Sequence, residues 1–96
     1  MTTREDQLEA GTQAAIEESK GLRYNPTDWI VMVRQHGALE AHKRVLRPGN
    51  LPSGFVRLAY DLGRPDLTAE YAALHNYPDL FTEEELAVAQ QRLRQM

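Results

Sequence analysis

Three histidines, fourteen carboxylates and eleven basic side chains are the groups in this 96-residue chain that chemistry could use. His36, His42 and His75 invite a metal site, yet no two stand four apart on one helical turn, and there is no HExxH order. Cysteine is absent, so no thiolate ligand or nucleophile exists. Ser19 and Ser53 fall at helix ends, and neither sits in a GxSxG elbow that would pair it with a base. Gly49 and Gly54 flank a proline-containing loop and lack the spacing of a phosphate cradle. The expectation is no catalytic residue, no cofactor and no metal.

The carboxylates have structural explanations close at hand. Glu83, Glu84 and Glu85 suit the first turn of a helix, where acidic groups meet the positive end of the macrodipole. Asp66 is a candidate cap. Asp61 and Glu70 are expected to meet Arg57 or Arg64 in salt bridges, a commoner fate than general acid or base work.

Net charge is −3 and unevenly spread: −3 over residues 1–33, +4 over 34–64 and −4 over 65–96. The basic middle holds Arg34, Lys43, Arg44, Arg47, Arg57 and Arg64, which would form the electrostatic footprint of a nucleic-acid contact. A helix, turn, helix order from Ala38 to Leu62 superficially fits that use. Against it stand a connection, Arg47 to Pro52, longer than the usual tight turn, and acidic ends that would repel DNA.

The elements that position these residues are all helical. Phe55, Leu58, Ala59 and Leu62 recur at i, i+3, i+4 and i+7, one face of a helix. Ser53 is its expected cap, and Gly63 with Pro65 ends it. A second helix carries Leu67, Tyr71, Ala72 and Leu74, capped by either Asp66 or Thr68. Thr82 and Glu85 form a capping box, with Phe81 and Leu86 as a hydrophobic staple and Arg92 and Arg94 completing the dipole at the far end.

Upstream, Asn25-Pro26-Thr27-Asp28 reads as a helix start, followed by a buried face of Trp29, Ile30 and Val33. Gly37 breaks the pattern before it resumes through Ala41, His42, Val45 and Leu46. Arg47-Pro48-Gly49-Asn50-Leu51-Pro52 is the strongest loop signal. From Arg4 to Lys20 good helix formers predominate, but the apolar set of Leu8, Ala15 and Ile16 is thin. Residues 1–24 are therefore expected to be an acidic, partly helical leader, weakly docked and frayed at its start. Residues 25–96 are the helical domain.

No strand alternation and no repeat occurs, so the class is all-α, a compact single domain of five to six short helices. Hydrophobic content of 42% with 26% charged residues is ordinary globular composition. The polar first twenty residues do not read as a signal peptide, and no run approaches the roughly 18 apolar residues of a membrane span. Absence of cysteine suits a reducing compartment, and the expected setting is the cytoplasm, with no membrane.

The string Gly54-Phe55-x-x-Leu58 followed by Gly63-Arg64-x-Asp66-Leu67-Thr68-x-Glu70, then Leu80-Phe81-Thr82-x-x-Glu85 and a closing Ala89-x-x-Arg92-Leu93, resembles a segment of small bacterial helical proteins that are uncharacterised. The resemblance covers about the last 45 residues and implies a helical fold and no particular activity. Pro65 stands where an aliphatic residue is expected.

These readings favour a small non-enzymatic protein-interaction module, an adaptor or accessory subunit whose partner is another protein or a second copy in a homodimer. So small a domain cannot hide every apolar face. Tyr60, Tyr71, Leu74 and Tyr77 are the candidate interface, because tyrosine joins an apolar body to an end that tolerates water. Trp29 is expected in the core. The alternative is a nucleic-acid-binding accessory protein using residues 34–64.

Overall fold

The polypeptide is described by a computed structural model over residues 2–49 and 51–95. Asn50, within the expected loop, lies outside the described residues. Its elements are α1 (Arg4–Gly21), α2 (Thr27–His36), α3 (Ala38–Val45), α4 (Ser53–Val56), α5 (Ala69–Tyr71) and α6 (Glu83–Arg94). Two π-helical segments continue α4 and α5: π1 (Arg57–Asp61) and π2 (Ala72–Asn76). Short 3₁₀ turns at Pro65–Leu67 and Pro78–Leu80 complete the chain. The fold is all-α, and no strand occurs among the described residues. A Cα radius of gyration of 12.3 Å is close to the roughly 12.5 Å expected of one packed domain of this length.

The core gathers Leu8, Val33, Ala38, Ala41, Leu46, Ala73, Phe81 and Ala89, drawing on α1, α2, α3, π2 and α6. The small alanines let helix backbones approach closely, while Leu8, Leu46 and Phe81 fill the remaining space.

The first helix corrects the expected weakly docked, frayed leader. Thr3 and Asp6 form a capping box at its start, and Leu8 is only 1% exposed. Leu8, Thr12, Ile16 and Ser19 make one buried stripe. Two of its members are polar, which is why the apolar set looks thin. Thr12 and Ser19 satisfy their hydroxyls locally, donating to the carbonyls of Leu8 (2.7 Å) and Ala15 (2.8 Å) four residues back, so burial leaves no unpaired donor.

Gly37, at φ +81°, separates α2 from α3 as expected. It has no side chain to cap α3, and the acid of another helix takes that role: Glu9 of α1 accepts from the Ala38 amide at 2.8 Å. Neither Asn25 nor Ser53 caps a helix. Pro26 and Pro52 occupy those N-cap positions without a side-chain bond, and Ser53 is displaced into the first helical position.

Phe55, Leu58 and Ala59 are buried, as their spacing predicts. Gly63 then turns the chain at φ +65°, and the Arg64 amide returns to the Leu58 carbonyl at 2.7 Å. Thr68, not Asp66, caps α5, accepting from the Tyr71 amide at 3.1 Å. The Thr82–Glu85 capping box forms in both directions, and Phe81 and Leu86 join the same core.

Candidate functional site

The most heavily engaged polar group in the interior is Arg92. It projects inward from α6, donating to Glu70 at 2.8 Å, to the Val45 carbonyl and to the Arg47 carbonyl at 2.9 Å. Both charged side chains are nearly sealed, at 6% and 2% exposure. Burial pushes the Glu70 carboxyl above its usual range, and the Arg92 contact pulls against that shift. One guanidinium thus closes the carbonyl end of α3 and ties it to α5 and α6. This corrects two expectations: Glu70 does not meet Arg57 or Arg64, and Arg92 does not lie on the surface complementing a dipole. A signal existed in the sequence, since Arg92 follows Ala89 and Glu70 precedes Ala73 by three. Each charge therefore stands on the apolar stripe of its own helix.

His42 is also interior. Its Nδ1 lies 2.7 Å from the Ala38 carbonyl, and its ring packs against Trp29 and Phe81 at centroid distances of 5.1 and 6.0 Å. Burial lowers its pKa, with the Ala38 carbonyl and Glu9 acting the other way. Among the described residues no group of three or more His, Asp or Glu side chains is placed to hold a metal ion.

The six basic residues do not form one open patch. Lys43 meets Glu85 at 2.8 Å, Arg44 meets Glu40 at 3.3 Å and Arg57 meets Asp61 at 3.5 Å. Arg64 grips both Glu18, at 2.7 Å, and Asp66, at 2.9 Å. Those contacts raise the Arg64 pKa and lower that of Asp66. Arg34 and Arg47 are exposed. The acidic ends thus answer Lys43 and Arg64, while Arg44 and Arg57 are paired from within the basic middle itself.

The four expected interface residues all lie on or beside the π segments. Tyr60 in π1 is 45% exposed and donates to the Gln95 carbonyl at 2.8 Å. Tyr71 packs against His75 in a tilted arrangement, with ring centroids 4.5 Å apart. Leu74 and Tyr77 pack against the core. Tyr77 donates to the Gln7 carbonyl at 3.2 Å and lies under the Arg4 guanidinium. No ring of these three tyrosines packs against another among the described residues, and Tyr60 and Tyr77 are tied to different helices, α6 and α1.

A groove of about 450 Å³ opens between α1, the start of α2, α4 and the start of α5, walled by Trp29, Met32, Phe55 and Leu58. Trp29 serves both the core and this groove. Nothing in the local periodicity announces the groove, because it exists only where separate helices fail to meet. Compared with known proteins, the chain matches no family model, no curated protein and no solved structure.

Proposed function

We propose that this chain is a small non-enzymatic protein-interaction module, an adaptor or accessory subunit that presents a helical surface. The observation that supports it is a helix apolar on two sides. From Ser53 to Asp61, Phe55, Leu58 and Ala59 turn inward, while Val56 and Tyr60, four apart, remain 36% and 45% exposed. An aliphatic residue beside an aromatic one suits the centre of an interface, and Arg57 and Asp61 supply a charged rim. The Tyr60 hydroxyl is already held by the end of α6, so little side-chain freedom is lost on docking.

Pairing of Lys43, Arg44, Arg57 and Arg64 with carboxylates favours a protein partner over a phosphate backbone. Among the described residues no helix is long and apolar enough to cross a membrane, and a cytoplasmic setting belongs to the same proposal. Affinity capture from cell extract, with and without nuclease, tests it together with sedimentation of the purified chain. The expected result is a nuclease-resistant partner or a species heavier than the monomer, lost in Val56→Asp or Tyr60→Ala with the helical spectrum retained. A clean monomer at high concentration with no partner recovered would overturn the reading.

A further inference from the structure

The groove at the start of α2 combines apolar walls with a one-sided charge. Trp29, Met32, Phe55 and Leu58 form much of its surface, and its volume of about 450 Å³ falls within the roughly 300–1,000 Å³ of small-molecule sites. Two carboxylates, Asp28 and Glu70, line it, and no lysine or arginine does. Glu70 is spent on Arg92, whereas Asp28 has no salt-bridge partner among the described residues. The α2 N-terminus offsets Asp28 by the equivalent of about half a positive charge, so the lining residues keep a net negative charge.

Tyr24 lines the same groove as Asp28 and stands against Gly54, where an added Cβ would lie 3.3 Å from the phenol oxygen. The hydroxyls of Tyr60 and Tyr77 donate to main-chain carbonyls, but that of Tyr24 has no protein partner among the described residues. Burial raises the Tyr24 pKa; Arg57 opposes that shift and Asp28 adds to it. Arg57 is itself answered by Asp61.

We propose that this groove binds a small organic cation, an apolar ring-sized body carrying a protonated amine. The body fills the space between Trp29 and Phe55, and the amine meets the Asp28 carboxylate and the Tyr24 hydroxyl, with the aromatic faces adding cation–π attraction. An anion of the same shape would meet the Asp28 carboxylate and no lining cation. Val56 and Tyr60 do not line the groove, so this site stands or falls apart from the interaction face.

The test titrates the unmodified protein with phenylbutylamine, phenylbutanol and phenylbutyrate, following the fluorescence of Trp29, the one tryptophan of the chain. The amine should bind at least about tenfold more tightly than the carboxylate, a difference of about 1.4 kcal/mol, with the alcohol between them. Asp28→Asn should bring the amine down to the level of the alcohol and leave the alcohol unchanged. Ala69→Leu, which fills the groove from α5, should weaken all three while circular dichroism and melting stay those of the parent. Equal or tighter binding of the carboxylate, no response to the amine at millimolar concentration, or indifference of the amine to Asp28→Asn would overturn the proposal.

Discussion

The region built from α3, α5, π2 and α6 and the helix formed by α4 and π1 both bury apolar side chains, but only the first is also stitched by a buried charge. Ala41, Leu46, Ala73 and Ala89 meet in one cluster, and Arg92 joins Glu70 to the carbonyls that end α3. Phe55, Leu58 and Ala59 are also buried, yet they lie outside that cluster, beside a groove. Their helix is held at its end by exposed contacts, Tyr60 to Gln95 and Arg64 to Glu18. Low solvent exposure therefore does not measure how firmly an element is fixed. A side chain can be hidden beside space that the structure is free to close.

The sharpest way to break this contrast is Arg92→Ala. It would strand the Glu70 carboxylate and two main-chain acceptors in the interior, and should cost about 3–5 kcal/mol in chemical denaturation. Replacing both partners, Glu70→Leu with Arg92→Met, should recover a large share of that loss, because no buried charge is then left unpaired. A negligible effect of Arg92→Ala would mean that the pair does not organise the core.

Next in size, Leu46→Ala should cost about 2–5 kcal/mol. Phe55→Ala should come near the lower end of the usual range of about 3–5 kcal/mol for that change, since the groove wall can collapse into the vacated space. If the phenylalanine proves the costlier site by a wide margin, the two regions are equally rigid and the contrast fails. Thr82→Ala, which removes the α6 cap, should cost about 0.5–2 kcal/mol. Thr3→Ala should fall in the same interval, and an unchanged midpoint there would return α1 to the status of a frayed leader.

The smallest effect concerns acid. Burial raises the Glu85 pKa, but the Lys43 and Thr82 contacts outweigh it, and the folded value lies below the usual range. Asp66 is likewise lowered, chiefly by its hydrogen bonds from Arg64. A carboxyl with a depressed folded pKa contributes stability above its unfolded pKa and loses it as pH falls through the folded value. Midpoints should therefore drop on acidification below the ordinary carboxylate range. Glu85→Gln should reduce that slope more than Asp66→Asn, whose exposed pair contributes less than about 1 kcal/mol. Equal slopes would argue that the α3–α6 contact is no better shielded than the surface.

Much of this architecture was legible in the residues alone where the controlling interactions are local. The Thr82–Glu85 box, the Gly37 break and the Gly63 turn each depend on atoms a few positions apart, and each formed as their types and spacing imply. Other local readings failed because neighbours competed. Prolines took the N-cap positions from Asn25 and Ser53; between Asp66 and Thr68, which the sequence left open, Thr68 is the cap. The stripe of α1 went unseen because Thr12 and Ser19 are polar by type yet satisfied by their own helix.

By itself the sequence determined the helical class, the breaks between helices and the buried face of the segment around Phe55 and Leu58, all of which follow from periodicity, capping and backbone stereochemistry. Only the tertiary structure decided that Arg92 would find Glu70, that Glu9 would cap α3, that Lys43 and Arg64 would be answered from distant acidic segments, and that a groove would remain beside Trp29. Those outcomes depend on which helix faces lie opposite one another across 22 to 46 residues of chain. The choice is made by packing complementarity and the desolvation of charge, neither of which is a property of any single stretch.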